Sequence, residues 1–95
     1  MFDFTYAIDN KRLVSFDYGG FERVVEPHTF GIDKDNRRVL VAYQVEGASR
    51  SDKLGWKSFI QHGMTNVVVL EREFSRPRPE YKRDDRAFKL IISQL

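Results

Sequence analysis

The sequence predicts a mainly β fold: a small barrel of five short strands with one helix before it and one after. Three observations lead there. Between residues 13 and 74 several short runs place apolar and β-branched residues at alternate positions, the period of a strand with one buried face. Those runs are separated by turn chemistry, Gly19-Gly20 and Asp33-Lys34-Asp35-Asn36 above all. After residue 83 the period changes, with Phe88, Ile91, Ile92 and Leu95 at i, i+3, i+4 and i+7, which is one stripe of a helix. Ninety-five residues are room for one domain. An apolar fraction of 41% with eight Phe, four Tyr and one Trp supplies a core, so wholesale disorder and a two-domain enzyme are both excluded.

Each element follows in order. Phe2, Phe4, Tyr6 and Ile8 alternate, but Phe4, Ala7, Ile8 and Lys11 also share a helical face; a short helix over about residues 3–11 is the reading adopted. Leu13 to Tyr18 is the first strand, with Val14, Phe16 and Tyr18 on one side. Gly19-Gly20 supplies the positive φ of a two-residue hairpin turn. Phe21 to Glu26 returns as the second strand, and Pro27, lacking an amide donor, ends its ladder or lies at an edge. Arg38 to Glu46 is the clearest strand, Val39, Val41, Tyr43 and Val45 alternating with Arg38, Leu40, Ala42 and Gln44. Gly47 to Gly55 is a polar loop, Trp56 to His62 a fourth strand broken at Gly63, and Val67 to Phe74 a fifth. Arg76-Pro77-Arg78-Pro79 reads as an extended linker across about 75–83, its prolines unable to continue a strand interior. Asp84 or Asp85 caps the closing helix, 84–95. Residues 1–95 form a single unit, with the barrel over about 12–74.

Charge and composition bound the chemistry. Lys+Arg number sixteen against fourteen Asp+Glu, a net +2, and the excess gathers in residues 72–95 at Arg72, Arg76, Arg78, Lys82, Arg83, Arg86 and Lys89. Such a stretch lines a nucleic-acid groove or, more commonly, forms a solvated face. There are no cysteines, so disulfides, thiolate metal sites and a cysteine nucleophile are out, and a reducing compartment is favoured. No run approaches the ~20 apolar residues of a membrane helix, and the N-terminus has neither a basic nor an apolar leader region. A cytoplasmic protein without membrane contact is expected.

The sequence holds no enzyme constellation, and no cofactor or metal is expected. His28 and His62 are 34 positions apart and neither has an i, i+4 partner. Asp33-Lys34-Asp35 starts like a calcium loop, but Arg37 stands where a third ligand belongs, and a hairpin turn is the better reading. Gly19-Gly20 lacks the helix and lysine of a phosphate loop. Trp56-Lys57 on a strand offers a stacking ring beside a phosphate contact, or else a core Trp beside a solvated Lys. Tyr18, Tyr43 and Phe59 carry the same two readings. Arg76-Pro77-Arg78-Pro79 reads either as a polyproline ligand for another module or as the device that fixes the path between the last two elements.

A family resemblance ties these pieces together. Ala7-Ile8, then Leu13 to Tyr18, then Arg23-Val24-Val25-Glu26-Pro27 resemble the opening of a WYL domain. Val39-Leu40-Val41-Ala42-Tyr43 resembles its central strand, and Trp56 to Met64 followed by Val67 to Leu70 and Phe74 its later block. The similarity covers about residues 4–74. It implies a five-stranded SH3/Sm-like barrel with an N-terminal helix, and a ligand-sensing or nucleic-acid-binding module of the kind found in bacterial transcription regulators. The family tripeptide falls on Arg38-Val39-Leu40, where only the Leu is kept, and both arginines of the family's Phe-Arg-Leu-Asp-Arg-Ile block are replaced in Phe59-Ile60-Gln61-His62-Gly63-Met64. No helix-turn-helix accompanies the barrel, so the chain reads as a stand-alone, diverged member. The expectation is a non-catalytic module that binds a nucleic acid or nucleotide-like ligand through Tyr18, Arg23, His28, Arg38, Tyr43, Trp56, Lys57, Gln61 and His62. Aromatic rings would stack, Arg and Lys would meet phosphates, and Gln61 would hydrogen-bond. The alternative expectation is a protein-interaction module whose anionic-ligand site has been lost.

Overall fold

A computed structural model describes residues 2–49 and 53–95. The chain runs α1 (Thr5–Asp9), β1 (Arg12–Tyr18), β2 (Phe21–Asp33), β3 (Arg38–Gly47), β4 (Gly55–Ile60), a 3-10 turn (Gln61–Gly63), β5 (Thr65–Glu73) and β6 (Phe88–Gln94). All strand pairings are antiparallel. The order across the sheet is β4-β3-β2-β1-β5, with β6 paired to β2 off that path. The mainly β class and the N-terminal helix are as the sequence predicts. The barrel is not: β4 and β5 do not pair with each other, so the sheet stays open.

The β1–β2 hairpin forms as expected, with Tyr18 opposite Phe21 and Phe16 opposite Arg23. Gly19 and Gly20 have φ of 60° and 83°, the left-handed pair a type I′ turn requires. Asp33 organises the next turn. One of its carboxylate oxygens accepts the N–H groups of Asp35 and Arg37, both at 2.9 Å, and the other accepts Arg37 Nε at 3.0 Å. The Arg37 backbone N–H is the main reason that the Asp33 carboxyl lies below the ordinary carboxylate range. This is the hairpin turn preferred above over a calcium loop.

Two expectations are corrected here. The second strand does not stop at Glu26 but continues to Asp33. Pro27 fits inside it because the pairing to β1 ends at Val25 and that to β6 begins at Thr29. Pro27 falls in this gap, beside a register shift against β3, where a missing amide costs no ladder bond. Second, the C-terminal helix does not exist. Residues 88–94 are strand β6, which pairs Thr29 with Gln94 and Ile32 with Leu90. The backbone groups of residues 29–33 have no partner on β1, and leaving a buried strand edge unpaired costs more than the helical stripe gains. Asp85 does accept the N–H of Ala87 at 2.9 Å, as a helix cap would, but only one turn follows before the chain extends.

The core lies on one side of the sheet. Val14, Phe16, Val25, Phe30, Leu40, Ala42 and Phe59 pack there against Phe4, Ala7 and Ile8 from α1 and its approach. Phe16 meets Phe59 edge-on at 4.9 Å, and Phe4 tilts against Phe30 at 5.1 Å. On β3 the fully buried side is Leu40, Ala42 and Gln44, which turns Tyr43 to the opposite face. That face is covered by residues 74–81, which cross it as a strap between β5 and β6. With the core on one face and the strap on the other, Arg23 through Gly31 are buried.

Candidate functional site

The nine residues singled out by sequence fall into three groups and one isolated position. Arg38, Gln61 and His62 come together. Arg38 opens β3, and Gln61 and His62 form the 3-10 turn that follows β4. With Asn36, Arg37 and Ile60 they line an open pocket of about 420 Å³. Arg37 is held by Asp33 at 3.0 Å and Asp35 at 3.4 Å. Arg38 makes no ion pair among the described residues. Gln61 donates through Nε2 to the Phe2 carbonyl, while its Oε1 is buried without a partner among the described residues. Lys89 on β6 donates to Asn36 at the pocket edge.

Tyr18 and Arg23 form the second group, at the hairpin end. Arg23 is 6% exposed. It donates to Gln44 Oε1 at 3.2 Å and to the Tyr18 carbonyl at 3.1 Å, and its guanidinium lies over the Tyr18 and Phe59 rings at 5.6 Å. Its Nε has no partner among the described residues. Burial pulls the guanidinium below its ordinary range, and its electrostatic interaction with Tyr18 opposes the shift. Tyr18 Oη accepts the Ile60 N–H at 3.1 Å. Gln44 passes the network on, donating to the carbonyls of Glu46 at 3.1 Å and Ala48 at 3.3 Å. Apart from Arg23 Nε, the polar contacts of this group run within it, to the Ile60 N–H and to the carbonyls of Glu46 and Ala48, so it fixes the start of the loop after β3.

His28, Tyr43 and Trp56 form the third, on the face covered by the strap. The His28 ring stacks on Phe74 at 5.6 Å, meets Trp56 edge-on at 4.7 Å and tilts against Tyr81 at 5.3 Å. Its Nε2 accepts the Arg78 N–H at 3.1 Å, so in the neutral ring the proton is on Nδ1 and is donated to the Glu26 carbonyl at 2.8 Å. Arg78 grips Glu26 with two bonds of 2.7 and 3.0 Å, and its guanidinium lies 4.5 Å over the Tyr43 ring. Trp56 Nε1 donates to the Pro79 carbonyl at 2.9 Å. Lys57 stands apart, half-buried on β4 opposite Ala42.

Glu26, Gln44, Phe74 and Tyr81 are not among the site residues the sequence singles out, and Arg78 enters there only through the basic stretch and the Arg76-Pro77-Arg78-Pro79 segment. The available signal was the Pro-Arg-Pro setting of Arg78, which marks a side chain held on a stiff segment. Glu26 and Gln44 had none, because their partners are distant in sequence. No cluster of three or more metal-ligating side chains occurs among the described residues, and none of their helices is long and apolar enough to cross a membrane. No protein-family model, characterised protein or solved structure matches the chain.

Proposed function

We propose that the chain is a non-catalytic binding module that takes an anionic, nucleotide-like ligand in the Arg38–Gln61–His62 pocket. The carrying observation is Arg38, a cation with no carboxylate partner among the described residues, on a pocket shared with a histidine and a carboxamide. An uncommitted guanidinium is the natural contact for a phosphate. Gln61 Oε1 would accept a hydrogen bond from a hydroxyl or base amine, and Ile60 would flank a ring. The ordered WYL-like motifs support a regulatory role for such binding. Tyr43 and Trp56 play no part in it, since their polar and cationic contacts are already taken by the strap.

The test is calorimetric titration with ATP, GTP and labelled single-stranded oligonucleotides at several salt concentrations. Binding that weakens with salt is expected, and Arg38→Ala should lower affinity by about tenfold or more. Failure of every probe at low salt, or unchanged affinity in Arg38→Ala, overturns the reading. One observation favours a second reading, a protein-interaction module: among the described residues β5 pairs only with β1, which leaves its other edge unpaired by them, and Val68 on β5 is 52% exposed. That reading predicts that Arg38→Ala is silent.

A further inference from the structure

The outer face of the sheet holds one of the chain's own segments as a receptor holds a peptide. The segment is Arg76-Pro77-Arg78-Pro79, which lies in no helix or strand. Three strands supply the groups that grip it. From β2 the Glu26 carboxylate takes the Arg78 guanidinium in a two-bonded fork, and His28 Nε2 takes the Arg78 N–H. From β3 Tyr43 gives its ring face to the same guanidinium. From β4 Trp56 gives its indole N–H to the Pro79 carbonyl. This is the chemistry by which aromatic-lined grooves read proline-rich segments: ring faces, an indole donor to a carbonyl, and a carboxylate for a flanking arginine. On the receptor side Glu26 is 6% and His28 0% exposed. The bound arginine is less enclosed, its side chain 39% exposed. Beside it opens a groove of about 750 Å³ lined by Glu26 and residues 73–79.

We propose that the outer face formed by Glu26, His28, Tyr43 and Trp56 is a receptor for an extended Arg-Pro peptide, that the strap occupies it in cis, and that such a segment of another protein can take the strap's place. The buried carboxylate selects the occupant. It repels phosphate, which excludes nucleic acid from this face, and the fork selects arginine over lysine. The strap is tethered at both ends, by β5 and by β6, so it competes at a local concentration on the order of millimolar. The intact chain should therefore bind such a peptide weakly, and a chain with a loosened strap should bind it well.

The probe is a fluorescent peptide with the sequence of residues 75–81, titrated by anisotropy into the full chain. Arg78→Ala should bind it at least about tenfold more tightly than the wild type. Adding Glu26→Gln to that variant should remove most of the gain, and a peptide with alanine at the position of Arg78 should not bind. Equal binding by Arg78→Ala and by the Glu26→Gln/Arg78→Ala double variant overturns the proposal, as does absence of binding by a folded Arg78→Ala chain. Circular dichroism establishes that each variant is folded. If Arg78→Ala is not, Arg78→Lys loosens the fork while keeping the charge, and a folded Arg78→Lys chain that takes up no peptide at millimolar concentration overturns it equally.

Discussion

His28 is held neutral chiefly by its burial. Its ring is enclosed, and that burial lowers its pKa from the ordinary value near 6.5. The Glu26 carbonyl and carboxylate oppose the shift, while the Arg78 charge adds to it. A neutral ring is also what the hydrogen bonds need, since a protonated Nε2 cannot accept the Arg78 N–H. The folded pKa is depressed for a group that is charged when protonated. The stabilisation it brings is therefore full above the unfolded value and is lost as pH falls from about 6.5 toward the lower folded value. Urea unfolding between about pH 8 and about pH 5 should show stability falling on the acid side, and His28→Gln should flatten the slope. An unchanged slope in the variant would assign the titration elsewhere. Little of this was legible beforehand. His28 was named as a candidate, but the residues that fix its protonation lie up to 50 positions away, and no local pattern connects them.

Among the elements, the hairpins were readable because their signals are local: Gly19-Gly20 and Asp33 to Arg37 fix backbone geometry within a few residues. β6 was not. Phe88, Ile91 and Ile92 in the strand and Leu95 just beyond it are each part-buried, so the spacing that reads as a helical stripe also serves an irregular strand with register shifts. What decides between them is the unpaired edge of β2, which is not visible in the residues of β6. Gly31 shows how close the two strands lie. A Cβ there would stand 2.2 Å from the Leu90 carbonyl oxygen and 2.9 Å from the Phe88 ring. Gly31→Ala should therefore cost about 2–3 kcal/mol and should raise hydrogen exchange along β6 more than along β1. Exchange that rises equally in both strands would mean that β6 does not dock as an independent layer.

At the scale of the whole molecule, β2 is the axis. It pairs with β3 along one edge and with β1 and then β6 along the other, with the main core beneath and the aromatic strap above. The open sheet is completed by the helix and by the strap, not by closure of β4 on β5. Residues 75–95 thus belong to the fold itself. Removing them bares the edge of residues 29–33 together with Trp56 and Tyr43. Such a chain should lose its cooperative thermal transition by circular dichroism, and a sharp transition at the wild-type temperature would refute this account. The divided edge of β2 also sets a schedule for the nascent chain. Synthesis delivers Asp33 about 55 residues before its partner Phe88, an interval of roughly 3–11 s at ~5–20 residues per second. Throughout it a half-covered strand edge is open to any other extended segment, so the period of greatest exposure to aggregation or chaperone capture falls between the translation of β2 and that of β6.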